Sequence, residues 1–363
     1  MTIKVVQWAV GSIGKEAVRQ IIAHPDLELV GGLVYSEDKD GVDLGVLAGI
    51  EPIGVAATTS RGAILALDAD VVLHMPMIGP RGGESGSLME QNDADVEALL
   101  QSGKNVISIS GYIWPGIRGE EATARFRRAA EAGGATLFGT GINPGFMMDR
   151  LGQVAASLCR KVDSVAVTEW WDTNTYPAID VLRDLIAMGR PADWISSDSP
   201  LGDVIGQFFY ESLALVATSL GGRVERFERS LEVGLATRDI VLQATGLEVA
   251  KGSIGAVAWT WSAVVDGKPF VSIQDRWIGD HEIPGWGPRR HDHWEVVVSG
   301  EPDVTVAVDL HHPKSNAGTT DPLVCSTVAI VLNSISAVQA APAGLMSFQT
   351  LTPAFRSSAA VVG

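Results

Sequence analysis

The sequence predicts two α/β domains. The first is a doubly wound domain with a parallel sheet, and the second is an α+β domain with a large mixed or antiparallel sheet. Three observations lead there. Up to about residue 150, apolar β-branched runs alternate with helical segments. Those runs are apolar throughout rather than at every second position, which is what strands buried on both faces of a parallel sheet require. From about 223 to 312 the chain is instead rich in strands, separated by turn signals such as VDGKP and SGEPD.

In order, the first domain reads as strands IKVVQWAV, LELVGGLVY, DADVVLHMP, KNVISIS and ATLFGTG. Helical segments such as GKEAVRQIIAH, DADVEALLQSG and GEEATARFRRAAEAGG lie between several of them. Strand, helix, strand at this rhythm builds a doubly wound sheet. After GFMMDRLGQVAASL the character changes: KVDSVAVTEWWD reads as a strand, followed by helices over roughly 178–188 and 202–220. VERFERSLEVGLAT, SIGAVAWTWSAVVDG, PFVSIQDRWI, HWEVVVSG and DVTVAVDLH are the strands of the second sheet, with helices on one face. A last helix, about 321–340, is expected to pack back on the first domain. The expected division is 1–150, 151–320 and a returning segment 321–363.

With 363 residues, 46% hydrophobic and 19% charged, the chain is long and apolar enough for two cores. A formal net charge of -16 argues against nucleic acid, which requires a basic footprint. Two cysteines, Cys159 and Cys325, offer neither a disulfide framework nor a zinc knuckle, and a reducing cytoplasm is the expected compartment. No signal peptide is read at the N-terminus. The apolar stretch LVCSTVAIVLNSISAV carries Ser and Asn and reads as a buried helix, so no membrane partner is expected.

The stretch VVQWAVGSIGKEAV places Gly11, Ser12, Ile13 and Gly14 between a strand and a helix. Backbone N–H groups at a helix N-terminus, approached closely through glycine, suit a pyrophosphate. Ala9 stands where the first glycine of such a turn is usual, and its methyl is tolerated if φ there stays negative. The alternative is an ordinary tight turn between strand and helix. At the end of the second strand, VYSEDKDG sets Ser36 and Lys39, suited to a 2′-phosphate, among Glu37 and Asp38, suited to a bare ribose. The mixture favours NADP, or use of both NADP and NAD, over strict NAD. At the end of the fourth strand His74 and Met75 are candidates for lining the cofactor, and the glycine-rich loop 79–87 for a mobile lid. GESGS lacks the spacing of a hydrolase nucleophile turn.

The long run from VVQWAVGSIG through SEDKDG to VLAG, with LFGTGINPGF and VTEWWDTNTYP, resembles the 2,4-diaminopentanoate dehydrogenase group. That group contains the native amine dehydrogenases and many dihydrodipicolinate reductase N-terminal-domain-like proteins. The resemblance implies a Rossmann domain, a second α/β domain carrying substrate and dimer contacts, and a C-terminal helix returning to the first domain. It implies NAD(P)H-dependent hydride transfer to a C=N bond formed from a ketone or aldehyde and ammonia, in a homodimer. Gly11 to Gly14 match the pyrophosphate turn, and Ser36 and Lys39 the adenosine-ribose end. Gly141, Ile142, Asn143 and Pro144 match the segment beside the nicotinamide. Glu169, Asp172 and Tyr176 match a polar pattern after the domain junction.

One departure stands out. Where the group carries a glutamate after the fifth strand, this chain reads VISISGYIWPG, with Gly111 and Tyr112 near the position. Glu120 and Glu121 lie further on, where they complement a helix dipole. Tyr112 is therefore a candidate proton donor for a carbonyl substrate, Asn143 a candidate orienting group, and Glu169 the remaining candidate catalytic carboxylate. Trp114, Phe146, Trp170 and Tyr176, with Trp171 and Trp194, suggest an aromatic wall for a hydrophobic substrate. For each of these residues ordinary packing is the alternative. No metal site is expected: His281, His291 and His293 lack the spacing of a zinc site. The run HHPK at His311, His312 and Lys314 lies too late to be the reductase motif it imitates. The leading reading is an amine dehydrogenase. The alternatives are a reductase of another unsaturated small substrate and a non-catalytic dinucleotide-binding sensor.

Overall fold

The computed structural model describes residues 2–76, 88–176, 179–287, 293–311 and 321–348. The chain forms two compact units. Met1–Phe146 with His312–Phe348 make the first, and Met147 to His311 make the body of the second.

The first unit opens with β1 (Ile3–Trp8), α1 (Ser12–Ala23), β2 (Leu27–Leu33), α2 (Leu44–Ala48), β3 (Ala57–Thr58), α3 (Arg61–Ala66) and β4 (Val71–His74). It continues through α4 (Leu88–Gln101), β5 (Asn105–Ser108), α5 (Glu120–Gly133) and β6 (Thr136–Gly139). The second unit contains α6 (Leu151–Ala156), β7 (Lys161–Asp172), α7 (Pro200–Ser219), β8 (Arg226–Leu235), β9 (Ile240–Leu242) and β10 (Leu247–Val249). It ends with β11 (Ile254–Val265), β12 (Lys268–Ile278), β13 (His293–Glu301) and β14 (Val304–Asp309). The chain then returns to the first unit as α8 (Pro322–Ala340) and β15 (Gly344–Met346).

The seven strands of the first unit are parallel, in the order β15-β6-β5-β4-β1-β2-β3. The direction of winding reverses between β1 and β4, which is where a doubly wound sheet opens its crevice. Successive residues of one strand feed opposite cores, and this explains the unbroken apolar runs. Val5 joins Leu29, Leu73 and Ile107 on the face covered by α1 and α8. Val6 joins Val72, Val106, Leu99 and Phe126 on the opposite face. On α1, Ala17, Val18 and Ile21 are fully buried. Each of the larger two contributes about 1.5–3 kcal/mol by burial. α5 starts at Glu120 with Glu121 in its first turn, where both acids meet the helix dipole as expected. α8 is long and apolar enough to cross a membrane, yet Val328, Val331, Ile335 and Val338 form its inner face in the core of this unit. Asp321 caps it by accepting from the Leu323 N–H at 2.8 Å.

The second unit is built on a six-stranded sheet, β14-β13-β7-β12-β11-β8. β7 and β12 run parallel and every other pair antiparallel, so the sheet is mixed. α6 packs on β7 and β13, and α7 on β11 and β12. The contact with α7 is close. The Trp261 indole N–H donates to the Gly202 carbonyl at 2.9 Å. A Cβ on Gly202 would lie 2.6 Å from Cζ3 of Trp259. Helix propensity alone would make Gly202→Ala stabilising by about 1 kcal/mol, but the indole is fully buried and cannot retreat. We expect the clash to win and Gly202→Ala to lose about 1–3 kcal/mol, read as a lower midpoint in urea with unchanged slope.

Candidate functional site

The cradle in the first unit is built by one turn. β1 ends at Trp8, Ala9 takes φ 73, Gly11 caps the helix without a side chain, and α1 begins at Ser12. The expectation of negative φ at Ala9 is corrected: this alanine sits in the left-handed region. Two bonds hold it there. Its N–H donates to Leu33 O at 3.0 Å, and the Gln7 side-chain amide donates to its carbonyl at 3.1 Å. That carbonyl lies against Gly14, where any Cβ would overlap it. Around Gly11 a Cβ would meet nothing within 4 Å. Gly11 and Ser12 are exposed at this helix N-terminus, the place where first-turn amides suit a pyrophosphate. The residues fit a dinucleotide. Gln7, fully buried on a strand, is a bracing residue that sequence reasoning passed over. Its signal was a polar side chain just ahead of the glycine turn.

Other expected cofactor residues lie at the carboxyl ends of neighbouring strands. Ser36 and Lys39 occupy one short turn after β2, with Lys39 N–H donating to Ser36 O at 3.0 Å. The Ser36 hydroxyl is bonded to the Asp38 carboxylate, and both side chains are exposed. The loop after β6 is compact. Thr140 N–H donates to Ser108 O at 2.9 Å, Gly141 and Gly145 have φ of 151 and 127, and Asn143 is half-buried between them.

His74 and Met75 follow the strand into the interior instead of lining a surface. His74 is fully buried, its Nδ1 is 2.9 Å from Ser108 Oγ, and its ring lies near Trp8 and Tyr112. Met75 is 6% exposed in the core covered by α1 and α8. Tyr112 has φ 67 and is 1% exposed. Its hydroxyl donates to Asp93 Oδ1 at 2.8 Å, its ring meets Phe126 edge-on, and the Arg118 guanidinium lies over it. Arg118 binds the same carboxylate oxygen at 2.9 Å. The phenol serves the core, because its proton is committed to Asp93. Trp114 is half-buried ahead of the short turn Pro115–Arg118, and Phe146 is half-buried at the end of this unit. The loop 79–87 lies outside the described residues.

In the second unit Glu169 faces inward. One rung of the sheet runs Trp294, Glu169, Asp275, Trp259 across β13, β7, β12 and β11. All four are buried. Burial pushes the Asp275 carboxyl up to about 7, although its hydrogen bond with Glu169 pulls the other way. Asp275 was legible as the inward position in the alternation Val271, Ile273, Asp275, but its acidity hid it. Trp170 packs with Trp286, and its ring is 5.2 Å from His293. Tyr176 meets Trp171 edge-on at 4.7 Å, and burial pushes its phenol up.

Asp172 joins a constellation the sequence did not reveal. The His281 Nε2 is 3.0 Å from Asp172 Oδ1, and Asn174 donates to the same oxygen from its backbone at 2.9 Å and its amide at 2.7 Å. They line a pocket of about 580 Å³ with Thr175, Arg238, Gln243 and Glu282. Its wall is mostly polar. Among the described residues no group of three or more His, Cys, Asp or Glu side chains is placed to hold a metal. His293 is 2.8 Å from Asp309, while His291, His312 and Lys314 lie outside the described residues.

Two expectations follow. Gly11→Ala should leave the melting temperature unchanged and weaken dinucleotide binding at least about tenfold, or about 1.4 kcal/mol, by calorimetry. Gly14→Ala should also lower stability by at least about 1–3 kcal/mol, because its methyl meets backbone. Separately, Asp275 carries its proton to higher pH when folded than its ordinary value near 3.8. Between about pH 4 and 7 the unfolded chain releases that proton first, so wild-type stability falls as pH rises. Asp275→Asn should remove that fall. Its gain over wild type should be on the order of 1–2 kcal/mol at pH 8 and shrink toward pH 4, followed as melting temperature against pH.

No protein-family model matches the chain. An amine dehydrogenase of Streptomyces virginiae is 26% identical over 319 residues, 85% of each chain. A 4-hydroxy-tetrahydrodipicolinate reductase of Synechococcus elongatus is 36% identical over 63 residues, 17% of this chain and 23% of that enzyme. Among solved structures, the amine dehydrogenase from Mycobacterium smegmatis superposes with a TM-score of 0.73 at 19% identity, covering 96% of this chain and 95% of its own. The fold is therefore shared from end to end, and the sequence likeness to an amine dehydrogenase spans both units. The chain is an amine dehydrogenase homologue, an amine dehydrogenase-like NAD(P)-dependent oxidoreductase.

Proposed function

We propose that the protein carries out NAD(P)H-dependent reductive amination, joining ammonia to a small ketone or aldehyde and reducing the resulting C=N bond. The observation that supports this most is the Ala9–Gly14 cradle, set in a chain whose likeness to an amine dehydrogenase runs over 85% of both sequences. When bound, the nicotinamide supplies the hydride. The first-turn amides of α1 hold the pyrophosphate, and the loop from Gly141 to Gly145 serves the nicotinamide end. Asn143 orients the carboxamide or the substrate.

The cofactor is NADP in preference to NAD. Lys39, half-buried in its turn, neutralises a 2′-phosphate, and Ser36 donates to it once released from Asp38. The exposed Glu37 and Asp38 leave NAD usable. The protein works as a homodimer in the cytoplasm, a compartment that suits its two free cysteines.

The test is oxidation of NADPH and NADH with a panel of ketones and aldehydes, with and without ammonium. Ammonium-dependent turnover is the expected result. Tight dinucleotide binding without turnover on any member would favour the sensor reading, for which the missing glutamate speaks. Lys39→Ala should weaken NADPH binding about 5- to 30-fold, about 1–2 kcal/mol, and NADH binding less than twofold. Equal weakening would remove Lys39 from the 2′-phosphate.

A further inference from the structure

The reading above lacks a proton-handling group, since Tyr112 is committed to Asp93 and the family's glutamate is missing. We propose that His281, oriented by Asp172, is the acid–base residue that condenses ammonia with the carbonyl substrate, in the polar pocket of the second unit. This inference rests on the reductive-amination reading and adds both a residue and a substrate class to it.

Four observations carry it. The His281 ring is fixed from one side only: Nε2 donates to Asp172 Oδ1 at 3.0 Å, so Nδ1 is the lone-pair acceptor of the neutral ring. That Nδ1 is enclosed and has no hydrogen-bond partner among the described residues. Asp172 is itself held, by the Asn174 backbone and amide, and the Asn174 amide also donates to Gly279 O at 3.1 Å. Burial alone would raise the Asp172 carboxyl, but the bonds from His281 and Asn174 bring it below its ordinary value, and it stays an anion beside the ring. A carboxylate that orients an imidazole and stabilises its protonated form is the arrangement acid–base catalysis uses. Finally, the cavity of about 580 Å³ has the size of a small-molecule site.

The proton count closes. Substrate binding has to uncover the enclosed Nδ1; neutral His281 then takes a proton from ammonium and releases ammonia. The nitrogen bonds to the carbonyl carbon, the C=O π pair moves to oxygen, and a proton shifts from nitrogen to oxygen to give the carbinolamine. His281 then returns its proton to that hydroxyl. The C–O bond breaks, water leaves, and the nitrogen lone pair forms the C=N bond of the iminium. Carbonyl plus ammonium gives iminium plus water, with His281 restored. The charged groups around the dyad, Asp172, Asp239 and Glu282 against Arg238, favour ammonium, and the polar Thr175 and Gln243 suit a carbonyl compound bearing hydroxyl groups.

Condensation can be read without reduction. With hydroxyacetone and ammonium in ¹⁸O-water and no dinucleotide, the full-length protein should accelerate ammonium-dependent exchange of the carbonyl oxygen, followed by mass spectrometry. His281→Gln should lower that acceleration by about 100-fold or more, and Asp172→Asn by at least about tenfold, with melting temperatures unchanged. With NADPH present, His281→Gln should also reduce turnover of hydroxyacetone plus ammonium at least about 30-fold more than turnover of preformed 2-methyl-1-pyrroline, which needs no condensation. The proposal is overturned if wild type does not accelerate exchange, or if His281→Gln exchanges as fast as wild type. Exchange without NADPH oxidation on either substrate would leave the dyad standing and remove the reductive-amination reading.

Discussion

The Ala9 carbonyl lies so near the helix that residue 14 has no room for a side chain. Much of the first unit hangs on that approach. It sets the first turn of α1 against the end of β1, the strand at which the sheet reverses its winding. It needs Ala9 in the left-handed region, which costs a non-glycine residue about 1–2 kcal/mol. Hydrogen bonds from Ala9 to Leu33 and from Gln7 to Ala9 offset the strain. The same geometry that leaves no space at Gly14 leaves open space at Gly11, so a packing requirement and a binding surface arise together.

Much of this was legible in the sequence because it follows from local rules. Continuous apolar strands announced a sheet covered on both faces, and Val5 and Val6 show why, each feeding a different core. The apolar stretch LVCSTVAIVLNSISAV located the last helix, and Val328, Val331, Ile335 and Val338 form the stripe of α8 that is buried. The conformation of Ala9 was not legible, because propensity puts glycine there and the bonds with Leu33 and Gln7 that make alanine tenable come from the fold. His74, Met75 and Tyr112 were sought at a surface because strand ends usually open there. They lie inside because Ser108, the core beneath α1 and α8, and Asp93 take them up.

The polar centre of the second unit hid for a different reason. Asp172 and His281 are 109 positions apart, and only the pairing of β7 with β12 brings them together. No spacing rule reaches that far. Asp275 was masked by composition, since an acid among Val271, Ile273 and Trp277 reads as a break in the pattern rather than as an inward residue. The sheet nevertheless places two carboxyls between Trp294 and Trp259, where most sheets put aliphatic side chains. Such a rung weakens the core as pH rises, while the buried Asp172, on the neighbouring strand, is kept an anion by its bonds with His281 and Asn174. Asp275 and Asp172, on the paired strands β12 and β7, thus shift in opposite directions, set by what surrounds each.

The first unit takes α8 and β15 from the far end of the chain. β15 pairs with β6 through Gly344, Leu345 and Met346, and α8 covers the core beside α1. During synthesis, β1 to β6 therefore emerge and wait while the whole second unit is made. Until residue 346 leaves the ribosome, the face that receives Val328, Val331 and Ile335 is uncovered and one sheet edge is open, the features that invite aggregation in a growing chain. The unit that begins first is completed last, and the second unit has the opportunity to fold within that interval.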